Sequence, residues 1–260
     1  MVMIPILDHK NPAAGSVFRP AALLREARRQ KGLEPVDVPE VCILDPDGDI
    51  VRGLRRRGQA RAFEGWPCYH TMLDTFALAG RQVGIIGCAV GAPFAVLVAE
   101  QLFASGCRLL LSLTSAGQVK DAGPPPYFVI IDRALRDEGT SYHYAAPSAY
   151  SEADAGLVAM AADAVKGNAL KVVVGSSWTT DAPFRETAEA IEAAQSSGVL
   201  AVEMEAAALY AFAGSTGARV LCLAHVTNTM GQMGHDFEKG EADGVTDALL
   251  ILAAVARACA

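Results

Sequence analysis

A chain of 260 residues that is 52% hydrophobic and 20% charged is too apolar to be disordered and long enough to bury a sizeable core. Its 22 Lys and Arg against 29 Asp and Glu leave a net charge of −7, which argues against a nucleic-acid partner. Mean hydropathy is +0.25, but the apolar C-terminal stretch is interrupted by Asp247 and Arg257 and is too short to span ~30 Å of hydrocarbon, so no membrane partner is expected. Residues 1–10 lack a basic segment followed by an apolar one, and no secretory signal is read there. Cys42, Cys68, Cys88, Cys107, Cys222 and Cys259 show no C-x-x-C or zinc spacing, which suits a reduced, cytoplasmic protein with small buried thiols. The run Arg55-Arg56-Arg57 reads as a solvated surface feature.

In chain order, a helix is predicted over 20–31, then strands over 41–44 and 83–87 and a helix over 93–105. Strands follow over 108–113 and 128–131, the second entered from the rigid Pro124-Pro125-Pro126. A helix over 152–166, a strand over 172–174, a helix over 186–195 and a strand over 199–202 come next. A helix over 203–213, a strand over 220–226 and a helix over 244–260 complete the chain. Continuous apolar strands separated by helices of this length mean βαβ units and a mostly parallel sheet with helices on both faces. Residues 41–260 therefore read as a single α/β domain, and 1–40 as an extension with a helix packed on it. Ligands in such sheets sit beyond the carboxyl ends of the strands, which directs attention to the loops there.

Five of these loops carry suitable chemistry. Asp45 to Arg52 is an acidic turn around Gly48, with backbone N–H groups and the Arg52 guanidinium able to face one anion. Gly87 to Pro93 runs from a strand into a helix N-terminus and offers free N–H groups to a ligand. Thr114-Ser115-Ala116-Gly117 presents hydroxyls suited to an anion or a sugar. Glu203-Met204-Glu205 sets two carboxylates at a strand-to-helix junction, where a carboxylate can accept from the paired hydroxyls of a ribose. Asn228 has an acceptor and two donors in one plane, which matches the edge of a heterocycle. Each loop, taken singly, is also compatible with ordinary turn chemistry.

In this order the loops resemble the nucleoside phosphorylase family, that of the purine nucleoside and uridine phosphorylases. The resemblance runs from Val41 onward and is carried by three segments: Leu135-Arg136-Asp137-Glu138-Gly139-Thr140-Ser141, the run from Trp178 to Thr187, and Gly198 to Leu209 with its core Val202-Glu203-Met204-Glu205-Ala206-Ala207-Ala208. It implies an αβα domain of three layers around a mixed, partly barrel-like sheet. It also implies cleavage of a nucleoside N-glycosidic bond by inorganic phosphate, giving free base and ribose 1-phosphate without a metal or organic cofactor. A homo-oligomer follows from it as well, a trimer or a hexamer built from dimers, with a site completed by the neighbouring subunit. Carried over by residue, Glu205 resembles the carboxylate on the ribose hydroxyls, Met204 the residue under the sugar, and Glu203 a residue of the base site. Gly48, Arg52 and Ser115 resemble the phosphate ligands. Asn228 resembles the residue that contacts the leaving base. Trp178 or Phe184 would stack on the base, Arg185 would meet a base carbonyl, and His9 would reach the 5′-hydroxyl in a neighbouring subunit.

One position departs from the pattern. Many phosphorylases place a phosphate-binding arginine where this chain has Ser112, and the same segment is similar to that of related nucleosidases, which use water. In that alternative Asp45, Asp47 or Asp49 is the base that activates water. A family-fold protein that binds a nucleobase or nucleoside without turning it over is the third reading. Asn228 leans toward a 6-oxopurine and Arg185 toward uracil.

Overall fold

Seven of the apolar runs become strands of one ten-stranded sheet in a computed structural model that describes residues 4–229, 239 and 241–260. Residues 1–3, part of the segment read for a signal, lie outside the described residues. The strands are β1 (Val41–Asp45), β2 (Arg61–Ala62), β3 (Asp74–Leu78), β4 (Arg81–Gly87), β5 (Leu109–Gln118), β6 (Tyr127–Asp137), β7 (Tyr150–Glu152), β8 (Val172–Thr180), β9 (Ala201–Glu203) and β10 (Val220–Thr229). The helices are α1 (Pro20–Lys31), α2 (Asp49–Arg56), α3 (Ala92–Phe103), α4 (Ala155–Ala164), α5 (Ala188–Ser196), α6 (Ala206–Thr216) and α7 (Val245–Cys259). Among the described residues no helix is long and apolar enough to cross a membrane.

The sheet is mixed rather than mostly parallel. β1 pairs in parallel with β4 and β5, β5 with β10, and β8 with β6 and β9, but β6 runs antiparallel to β10 and β5 antiparallel to β9. The loop of pairings β10–β6–β8–β9–β5–β10 closes a five-stranded barrel, from which β5 continues through β1 and β4 to the antiparallel edge strands β3 and β2. The alternation of side chains fills two cores. Cys42, Leu44 and Leu110 face α3 and α6, where Val96, Leu102 and Phe212 pack, and Ile43, Leu109 and Leu111 face α2, α4 and α7, where Leu54, Leu157 and Leu252 pack. Each such buried side chain contributes roughly 1.5–3 kcal/mol relative to exposure. Tyr210 ties α6 to the barrel: its hydroxyl donates to the Ile131 carbonyl (2.6 Å) and accepts from the Cys222 N–H (3.0 Å).

Two expectations are corrected here. The acidic turn after β1 does not extend to Arg52. Gly48 takes a left-handed conformation (φ 75°) and α2 starts at the next residue, with Asp45 Oδ2 accepting from the Val51 N–H at 2.9 Å. Nor is the arginine run merely solvated. Arg55 makes a bidentate pair with Asp74 (3.2 and 2.5 Å), a carboxylate that is 3% exposed on β3, and its guanidinium compensates that burial.

Partner exchange along β5 creates the site. Leu109 to Ser112 lie beside β1, whereas Gly117 and Gln118 lie beside β9, so β1 and β9 diverge on either side of Leu113 to Ala116. The chain order reverses at that point, and a crevice opens at the carboxyl end of β1.

Candidate functional site

Ser115 stands in this crevice and its donors are already engaged. Its N–H donates to Asp47 Oδ2 (2.8 Å) and its hydroxyl to Asp47 Oδ1 (2.9 Å). Asp47 leaves β1 one residue before Gly48, and there is no room for a side chain at Gly48: a Cβ would lie 2.6 Å from Cys88 Sγ and 2.7 Å from Arg52 Nη1. Arg52, on the first turn of α2, folds back to donate to the Asp47 carbonyl (2.8 Å) and to Asp49 (2.5 Å). Lys239 closes the cluster from the other side, 2.5 Å from Asp49 Oδ2 and 3.8 Å from Asp47 Oδ2. Burial works against the Lys239 charge, but the bond to Asp49 and the neighbouring carboxylates hold its pKa above the ordinary lysine value. Burial pushes Asp45 up to about 7 despite the Val51 N–H. His225, stacked on Phe128 with centroids 4.4 Å apart, is pushed down to about 4 by burial and is neutral. Ser112, where the resemblance expects an arginine, is 1% exposed and sits in register with Leu44 and Cys222 inside the sheet.

A cleft of about 290 Å³ adjoins Ser115, and Met204, Glu203, Asn228 and Phe184 line it. A β-bulge between Val226 and Asn228 shifts the register of β10 as the strand reaches this cleft. Phe184 is 99% exposed on a short 3₁₀ turn at the rim. A larger cavity of about 510 Å³, lined by Phe103, Arg108, Phe212 and Arg219, lies at the amino ends of β5 and β10, the end of the strands where open α/β sheets do not place ligands.

The two carboxylates have different tasks. Glu203 Oε1 accepts from Ser177 (2.9 Å) and Thr179 (2.5 Å), and Oε2 accepts from the Glu205 and Ala206 N–H groups (2.7 Å each). It thereby joins β8 to the start of α6, and no acceptor position is left idle for a base. Glu205 Oε1 accepts one bond, from the Gly91 N–H (2.7 Å), and its buried Oε2 has no partner among the described residues. The loop before α3 therefore serves Glu205 with the N–H read above as free for a ligand. Burial raises the pKa of both groups. The nearby Glu203 charge pushes Glu205 further, to about 8, while at Glu203 four hydrogen-bond donors oppose the effect of burial.

The structure thus gathers Ser115, Met204, Glu203, Asn228 and Phe184 at one cleft. Gly48 and Arg52 reach Ser115 through Asp47, while Glu205 is buried and does not itself line the cleft, though the Asp47 charge acts on it. Three residues stand apart. Trp178 is 4% exposed, bonded to Asp137 (3.0 Å) and packed with Val119, Val199 and Val202, so it is core and not a stacking platform. Arg185 and His9 are exposed and do not line the cleft. Asp47 as the partner of Ser115, and Lys239, were not anticipated. Asp47 had no signal beyond its place in the acidic turn, and Lys239 had none, lying 190 residues from Asp49.

Residues 41–257 match the family model of the phosphorylase superfamily. Among curated relatives, purine nucleoside phosphorylase DeoD-type 1 of Photobacterium profundum is 28% identical over 151 residues, 57% of this chain and 63% of that protein. The DeoD-type purine nucleoside phosphorylase of Proteus mirabilis is likewise 28% identical over the same shares. The chain matches less than two thirds of the length of these relatives. Among solved structures, uridine phosphorylase from Vibrio fischeri ES114 superposes with a TM-score of 0.72 at 20% identity, covering 86% of this chain and 95% of that one, which is a likeness of fold.

Proposed function

The chain belongs to the phosphorylase superfamily, and from that premise we propose that it is a nucleoside phosphorylase, cleaving the N-glycosidic bond of a nucleoside with inorganic phosphate. The observation that carries this reading is the meeting of Ser115, Met204 and Asn228 at one cleft, with Glu205, buried directly after Met204 in the chain, holding an unpartnered oxygen. In the reaction, vicinal ribose hydroxyls donate to Glu205 Oε2 and relieve its desolvation. Met204 packs under the sugar. The ribosyl cation that forms as the bond breaks is stabilised by the Glu205 carboxylate, and the Asn228 amide hydrogen-bonds the base as it departs with the electron pair. Phosphate, held by Ser115, the backbone at Gly48 and Arg52, closes on C1′. As proposed, side chains and phosphate carry the reaction without a metal or organic cofactor.

Asn228 lines the cleft and Arg185 does not, which supports a 6-oxopurine over uracil. The proposal includes the oligomer, a trimer or hexamer in which His9 reaches a neighbouring ribose, and light scattering measures its mass. Hydrolysis is a second reading, favoured by the grip of Asp47 on Ser115. Incubation with inosine, adenosine and uridine, with and without phosphate, tests both. Phosphate-dependent release of hypoxanthine with ribose 1-phosphate is expected. Release that ignores phosphate would replace phosphorolysis by hydrolysis, and no release with thermal stabilisation by the base would leave a binding protein.

A further inference from the structure

The anion position in the crevice is filled by the protein itself. A carboxylate that accepts from a backbone N–H and the hydroxyl of the same residue, at 2.8 and 2.9 Å, uses the two donors that a pair of phosphate oxygens would use. The cations are committed in the same way. Arg52 is bonded to the Asp47 carbonyl and to Asp49, and Lys239 to Asp49 with Asp47 beyond it. An incoming dianion meets two carboxylates, Asp47 and Asp49, and loses the help of an arginine at Ser112, which is buried in the sheet. The reach of Asp47 across to β5 spans 68 residues of sequence and depends on the left-handed Gly48 that reverses the chain behind it.

We propose that Asp47 is an internal occupant of the co-substrate position and determines which nucleophile reaches the sugar. Phosphate enters only when Asp47 leaves Ser115, and with Asp47 in place the acceptor is water. The proposal deepens the nucleoside-cleaving reading and rests on it. In the phosphate branch the C1′–N bond breaks, a C1′–O bond to phosphate forms, and the electron pair leaves on the base nitrogen, which takes a proton from solvent. In the water branch the same bond breaks, water oxygen bonds C1′, the Asp47 carboxylate takes the water proton, and the base again leaves with the pair and is protonated, giving ribose.

The test compares wild type with Asp47→Ser, which vacates the position, and Asp47→Asn, which keeps the shape and removes the charge. Two quantities are measured: the affinity for inorganic phosphate from thermal shifts without nucleoside, and the ratio of ribose 1-phosphate to ribose at fixed phosphate. Asp47→Ser is expected to bind phosphate at least about tenfold more tightly and to move the product ratio toward ribose 1-phosphate by a similar factor, the loss of a charge-assisted competitor. Asp47→Asn should lie between, because its amide oxygen still accepts from Ser115. Should Asp47→Ser not fold, Asp47→Asn decides on the same two readings. Phosphate affinity and product ratio equal to wild type overturn the proposal. If none of the proteins releases a base, phosphate affinity alone decides: a gain keeps Asp47 as the occupant while removing the cleavage reading, and no gain removes the occupant.

Discussion

Glu205 offers a quantitative test of the site. It is 2% exposed and has one hydrogen bond, and burial together with the Glu203 charge raises its pKa from 4.5 to about 8. Between those values the folded protein holds a proton that the unfolded chain has released. The unfolded state binds fewer protons, so stability is full below 4.5, falls as pH rises through that window, and levels off above about 8. At about 1.4 kcal/mol per tenfold change in proton activity, the interval amounts to roughly 4–5 kcal/mol. Asp45, raised to about 7, adds a loss of the same sign in both proteins. Urea unfolding of wild type and Glu205→Gln from pH 5 to 9 isolates the Glu205 part: wild type should lose several kcal/mol more than the variant over that range. Parallel profiles would refute the assignment. The same proton reports on function. Ribose hydroxyls donating to Oε2 stabilise the carboxylate, so nucleoside binding at pH 7 should expel about one proton. Calorimetry in buffers of different ionisation enthalpy counts it, and a count of zero would mean that the sugar does not meet Glu205.

Two further outcomes follow from contacts elsewhere. Arg55→Ala leaves the buried Asp74 carboxylate without its bidentate partner. Because Arg55 is 43% exposed, water recovers part of the loss, and a destabilisation of about 1–3 kcal/mol is expected in chemical unfolding, with no change in nucleoside KM. Phe184→Ala removes a ring that is 99% exposed at the cleft rim. Thermal melting should be unaltered, while nucleoside KM rises by up to about tenfold, the worth of one aromatic stack. An unchanged KM would place the base away from this rim.

Local chemistry made some elements readable and long-range pairing hid others. The predicted helix over 20–31 matches α1 end for end, because Pro20 opens it and Gly32 closes it in a left-handed conformation. The strand predicted to stop at Leu113 runs on to Gln118, since small polar residues with little strand preference are held between β10 and β9. β3 escaped notice because its first residue is a buried aspartate, made tolerable only by Arg55 nineteen residues earlier. Glu203 and Glu205 were visible as a pair. Their division of labour was not, because the donors that satisfy Glu203 come from Ser177 and Thr179 on β8.

The crevice at the carboxyl end of β1 is more fully self-bonded than its motif suggests. Arg52 and Ser115 come together around the Gly48 turn, yet each is bonded to a carboxylate of that turn, Arg52 to Asp49 and Ser115 to Asp47. A motif names donors and cannot say whether the fold has already spent them. Ser115 has two, and Asp47 takes both. An acidic chain with a net charge of −7 that turns its cations inward onto Asp47 and Asp49 weakens its attraction for a dianion without deleting the residues that would bind one. On the proposal made here for Asp47, the choice between phosphate and water hangs on the rotamer of one aspartate, which a single substitution can reset.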